Sequence, residues 1–99
     1  ARTGFWLDHE NEVAWVQGQR IELTAQEFQI LAFLSQPPGT LHTRQQITDH
    51  ILGIDYDIYE ESWLNSAINR LRTKIEPDPR KPRYLITVRG RGYRLDLPS

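Results

Sequence analysis

The chain has 99 residues, a net charge of −1, no cysteine and no methionine. That length predicts one domain with one core, and the lack of cysteine excludes disulfides, thiolate metal sites and thiol nucleophiles. The longest purely apolar run, ILAFL at 30–34, is far below the roughly 20 residues that a membrane span needs.

No signal-peptide pattern opens the chain. Without an initiator methionine it is expected to be an excised piece or a processed product of a larger protein. The small net charge hides an asymmetry. Residues 1–61 carry three Arg against ten Asp or Glu, a balance of −7, whereas residues 62–99 carry nine Lys or Arg against three Asp or Glu, a balance of +6. Such a split points to a polyanionic partner for the basic end. The alternative is that the two halves neutralise each other within the fold.

In chain order, FWLDHE (5–10), EVAWVQG (12–18) and RIELT (20–24) are rich in β-formers, with Gly and Asn near their joints. They predict a small antiparallel sheet within residues 1–23. At TAQE (24–27) the period changes. Thr24 and Glu27 form a capping box that opens a first helix over 24–35, with Phe28, Leu31 and Ala32 at helical spacing and Ile30 and Leu34 widening the apolar side. Pro37, Pro38 and Gly39 stop it. A second box, TRQQ (43–46), opens a helix over 43–52 with Ile47 and Ile51 on one face and Gly53 at its end.

A loop, GIDYDIY (53–59), leads to a third helix over 58–75, which Asp57 and Glu60 can cap. Pro77, Pro79 and Pro82 forbid its continuation. YLITV (84–88) and YRLDL (93–97) then flank a Gly-rich turn, so 84–97 reads as a β-hairpin, with Tyr93 expected to anchor it in the core. The fold class is α+β: an N-terminal antiparallel sheet, three helices and a C-terminal hairpin.

Wound at about 100° per residue, the third helix collects Leu64, Ala67, Ile68, Leu71 and Ile75 on one side and Ser62, Ser66, Asn69 and Thr73 on the other. Arg70 and Trp63 border one edge of the polar side and Arg72 borders the other. Such a face fits a major groove, because short polar side chains let the backbone approach base edges, where Asn pairs with adenine and Arg with guanine. The same composition also describes a solvated helix face, and the wheel by itself leaves both open. A helix in a groove needs a supporting helix. The second helix supplies one, with free N–H groups at its start and Arg44 placed to contact phosphate.

The hairpin tip TVRGRGYRL (87–95) contains Arg89, Gly90, Arg91 and Gly92. Both glycines are expected to serve a tight turn. Arg89 and Arg91 then project outward, where an arginine can enter a narrow minor groove. Arg94 makes three arginines in six residues, more than a merely soluble turn requires.

These segments resemble a known family. LTAQEFQIL (23–31), TRQQI (43–47), NRLRTKIE (69–76) and DPRKPRYLITVRGRGYRL (78–95), with the N-terminal strands, are similar to the winged helix-turn-helix effector domain of OmpR/PhoB-type response regulators. The resemblance covers essentially the whole chain, and its specific part is TVRG-x-GYR following RLR-x-K. It implies a four-stranded N-terminal sheet, three helices and a hairpin wing. It also implies a bacterial, cytoplasmic two-component regulator that binds double-stranded DNA, with a second copy of itself on a direct-repeat operator.

On the resemblance, Arg70 and Arg72 take the places of the RLR arginines, Arg89 is the wing arginine with Thr87 beside it, and Arg44 opens the second helix. The loop 53–59 matches the segment that meets RNA polymerase in family activators. Ser62 and Asn69 stand where relatives often carry a base, so the operator cannot be borrowed. Leu52 replaces the aromatic residue often found before the glycine that ends the second helix. The DNA-contact set is therefore Arg44, Ser62, Trp63, Ser66, Asn69, Arg70, Arg72, Thr73, Thr87, Arg89 and Arg91.

Catalysis finds no support. Asp55, Asp57, Glu60 and Glu61 do not meet the EF-hand pattern, and His9, His42 and His50 are scattered. No enzyme activity, metal, cofactor or membrane partner is expected. The alternative is a winged-helix module that binds protein. An exposed Trp63 would favour it as a hot spot, whereas Trp63 packed against the wing, the preferred reading, would not. The stacking-platform motifs usual in RNA binders are missing.

Overall fold

Residues 5–22 alternate strand and turn. The computed structural model describes residues 4–53 and 62–97. Strands β1 (Phe5–Asp8), β2 (Val13–Val16) and β3 (Gln19–Glu22) pair antiparallel in the order β1-β2-β3, with Phe5 opposite Val16 and Val16 opposite Gln19. Only Gln17 and Gly18 join β2 to β3, at φ 51° and 80°. Two consecutive positive φ values give a two-residue turn whose twist matches the strands it connects. The period of two sends Phe5, Ala14 and Val16 to the core, with Leu7 and Ile21 packed against it. Trp6 and Trp15 lie opposite each other on the other face, and their indoles stack at 5.7 Å and 4°. The described residues thus hold three of the four strands that the resemblance implies.

Both capping boxes form. Helix α1 (Ala25–Leu34) starts where the Thr24 hydroxyl accepts the Glu27 N–H at 3.1 Å and the Glu27 carboxylate accepts the Thr24 N–H at 2.9 Å. Helix α2 (Arg44–Leu52) repeats the device with Thr43 and Gln46, at 3.0 and 2.9 Å. The third helix, α3 (Ser62–Ile75), buries Leu64, Ala67, Ile68, Leu71 and Ile75, the set that the wheel assigned to the core. Its expected start over 58–61, its Asp57/Glu60 cap and the rest of the loop after Gly53 lie outside the described residues.

Strands β5 (Leu85–Val88) and β6 (Gly92–Leu95) form the expected wing, but it has a third strand. His42 and Thr43 form β4, which pairs with β6, so the sheet order is β4-β6-β5. This corrects the reading of Gly92 as a turn residue. Gly90, at φ 77°, makes the turn with Arg91 N–H donating to the Val88 carbonyl at 2.9 Å. Gly92 instead sits in β6 opposite Thr43, where a Cβ would stand 2.1 Å from the His42 carbonyl oxygen. Glycine is required there because β4 crosses at that distance.

The loop between α3 and β5 closes on Glu76. Its buried carboxylate accepts the backbone N–H groups of Arg83 (2.7 Å), Tyr84 (3.1 Å) and Leu85 (2.8 Å). Tyr84 joins the two sheets, with its ring 5.1 Å from Phe5 and its hydroxyl accepting from the Gln17 side chain at 3.2 Å. Tyr93 is buried as expected.

Candidate nucleic-acid interface

The outward stripe of α3 is Ser62, Ser66, Asn69 and Thr73, all exposed. Periodicity sets this stripe, since each of the four lies opposite the buried Leu64–Ala67–Ile68–Leu71–Ile75 side. Thr73 donates its hydroxyl hydrogen to the Asn69 carbonyl at 3.0 Å. No acid occurs in α3, so nothing on this face repels a polyanion.

The long cations of α3 leave the stripe at both edges. On the wing side, Arg72 donates through Nε (3.1 Å) and Nη2 (2.8 Å) to the Leu85 carbonyl, and Nη2 also reaches the Thr87 hydroxyl at 2.6 Å. Burial pulls its pKa down, against the upward pull of Tyr93 and Glu76. Arg72, placed by the sequence in the DNA-contact set, is therefore engaged in fastening the wing to α3, and it takes the hydroxyl of Thr87 with it. On the α1 side, Lys74 donates to Glu27 at 2.6 Å and Arg70 approaches the same carboxylate at 3.6 Å. Glu27 is only 1% exposed. Burial raises its pKa, but the Lys74 hydrogen bond, the Thr24 backbone N–H and the Lys74 charge outweigh burial and hold it below the ordinary value. Arg70 keeps 54% of its side chain in solvent, so it borders the stripe while leaning toward α1.

Arg44, at the first position of α2, donates through Nη1 to Asn65 Oδ1 and to the Tyr93 hydroxyl, both at 2.9 Å. One guanidinium thus ties α2, α3 and β6 together. Beside it, Thr43, Arg44, Gln45, Thr87, Gly90, Arg91 and Tyr93 line a cleft of about 430 Å³ between the start of α2 and the wing. Arg89 and Arg91 are exposed at the tip, and neither pairs with an acid among the described residues. Arg94 does not join them, because its Nε binds the two Asp96 oxygens at 2.9 and 3.1 Å. The tip therefore offers two arginines rather than three.

Trp63 is half-buried and packs against the core, with its indole Nε1 covered and lacking a partner among the described residues. The side chain is thus part of the packing rather than standing free as a hot spot.

A family model described as "Transcriptional regulatory protein, C terminal" matches residues 18–95. The chain belongs to that family. Among relatives of this regulator domain, the sensory transduction protein RegX3 of Mycobacterium leprae is 41% identical over 90 residues, which are 91% of this chain and 45% of RegX3. The chain thus spans less than half the length of that relative. The response regulator DrrB of Thermotoga maritima, an OmpR/PhoB homologue, superimposes with a TM-score of 0.81 at 30% identity, over 93% of this chain and 41% of DrrB. The DNA-binding domain of Klebsiella pneumoniae RstA, in complex with the RstA box, gives 0.80 at 27% identity over 93% of this chain and 90% of that one. The fold is the OmpR/PhoB-type winged helix-turn-helix.

Two features of this regulator domain escaped sequence reasoning. The Arg44–Asn65–Tyr93 junction joins residues 21 and 49 positions apart, and no local pattern announces such a contact. The acceptors of Arg72 were equally hidden, since one of them is a backbone carbonyl. The charge of Lys74, four residues beyond Arg70 on the helix, was a usable signal that Arg70 and Lys74 share an acidic partner.

Proposed function

We propose that this chain is the DNA-binding effector domain of a response regulator. In this reading α3 lies in the major groove and the wing tip lies in the adjacent minor groove. The carrying observation is the pairing of an acid-free helix face of short polar side chains with a tip whose two arginines have no acidic partner among the described residues. The RstA domain, bound to its own box, supports the reading through a closely similar fold. Ser62, Ser66, Asn69 and Thr73 face the base edges. Arg70, at the edge of the stripe, meets phosphate. Arg89 and Arg91 enter the minor groove, where negative potential is concentrated. Arg44, Arg72 and Thr87 act mainly by fixing where α2, α3 and the wing stand, and Trp63 supports α3 from below.

The domain acts by binding, without catalysis, in the cytoplasm. Its parent carries the remaining regulator segments, and it pairs with a second copy on a direct repeat about one helical turn apart. Contact with RNA polymerase through 53–59 belongs to the same proposal and falls largely outside the described residues. The test is selection from a random duplex pool, then titration of the enriched duplex at several salt concentrations. Enrichment of a direct repeat, with affinity falling steeply in salt, is expected. Folded protein that enriches nothing and shows no salt-sensitive binding would overturn the reading in favour of a protein-binding module.

A further inference from the structure

Each cation of α3 has an intramolecular partner: Arg72 the Leu85 carbonyl and Thr87, Lys74 and Arg70 the Glu27 carboxylate. Guanine is read by bidentate Arg or Lys, and here those side chains are drawn to the edges of the helix. What remains on the open face is Ser62, Ser66, Asn69 and Thr73. A serine hydroxyl accepts or donates to several bases and discriminates little. The Thr73 hydroxyl hydrogen is committed to the Asn69 carbonyl. Asn65, the other carboxamide of α3, is held by Arg44 through its oxygen. Asn69 is thus the one side chain of the face with a fixed donor–acceptor pair and no partner among the described residues.

We propose that Asn69 determines the specificity of this domain and reads an adenine in the major groove, its Oδ1 accepting from the N6 amino group and its Nδ2 donating to N7. The inference rests on the DNA-binding reading and deepens it: the half-site is recognised at an adenine by a neutral carboxamide, while the arginines supply affinity rather than sequence. The Thr73 methyl, left as that residue's unpartnered group, suits the methyl of a neighbouring thymine.

The experiment repeats the random-duplex selection with the wild-type chain, Asn69→Ala, Ser66→Ala and Arg70→Ala, each checked for an unchanged circular dichroism melt. Single-base variants of the wild-type consensus are then titrated. We expect one adenine in each half-site whose replacement weakens wild-type binding about 5- to 150-fold. That preference should vanish in Asn69→Ala and survive in Ser66→Ala and Arg70→Ala, and Asn69→Ala should keep the wild-type salt slope. A consensus identical in wild type and Asn69→Ala would overturn the inference while leaving DNA binding intact. So would a dominant guanine lost in Arg70→Ala. Failure of the wild type itself to enrich any duplex would instead remove the DNA-binding reading on which the inference stands.

Discussion

Glu27 is almost fully buried, caps α1 and holds two cations of α3. Its pKa lies below the ordinary 4.5, because Lys74 and the Thr24 N–H outweigh the upward push of burial. The unfolded chain then binds a proton at higher pH than the folded one, so the contribution of Glu27 is complete above about 4.5 and is lost as pH falls toward the folded value. Glu27→Gln should lower the thermal midpoint at neutral pH, and the gap from wild type should narrow below pH 4.5. A constant gap would contradict the ion pair.

His42 has its own window. Burial lowers its pKa from 6.5, so stability should begin to fall as pH drops through 6.5, and His42→Gln should remove that step in the melting profile. Arg72 is a third case. Arg72→Ala strips the Leu85 carbonyl of its partner and should cost about 1–3 kcal/mol in a denaturant melt. Because its guanidinium is spent internally, loss of Arg72 should leave the salt slope of DNA binding unchanged, whereas a phosphate contact would lower the slope by about one unit.

The wing shows which structural elements could be read in advance. Both capping boxes, the buried stripe of α3 and the two wing strands rest on local period and side-chain chemistry, and they stand where pattern puts them. β4 was illegible because two residues carry no period, and its pairing with β6 spans about 50 positions. The role of Gly92 follows from that pairing, so it was misread with Gly90 as part of the turn. Gly92→Ala should destabilise the domain by about 1–3 kcal/mol, since the clash is with backbone that cannot rotate away. Gly90→Ala meets open space at positive φ, and should cost less in the same denaturation experiment. Glu76→Ala, which leaves three backbone donors without their acceptor, should unfold more readily than either.

Across the whole molecule, the two readings of the charge split both hold in part. The acidic half meets the basic half at Glu27, whose single carboxylate pairs with Lys74 and is approached by Arg70. The wing tip is left with Arg89 and Arg91 unpaired with any acid among the described residues. The site was therefore legible as a face: the exposed stripe of α3 and the arginine tip are where the wheel and the hairpin placed them. The division of labour within it was not legible, because whether Arg44, Arg70 and Arg72 reach outward depends on acceptors brought in from α1, α3 and the wing. The central claim is that this stripe and this tip together form the DNA-binding surface, with the N-terminal sheet outside it. The most direct measurement is amide NMR of the isotope-labelled chain titrated with its enriched duplex. Shifts concentrated in 62–73 and 87–93, with 5–22 unmoved, are predicted. Shifts centred on the N-terminal sheet around Trp6 and Trp15, with α3 and the wing silent, would contradict the account.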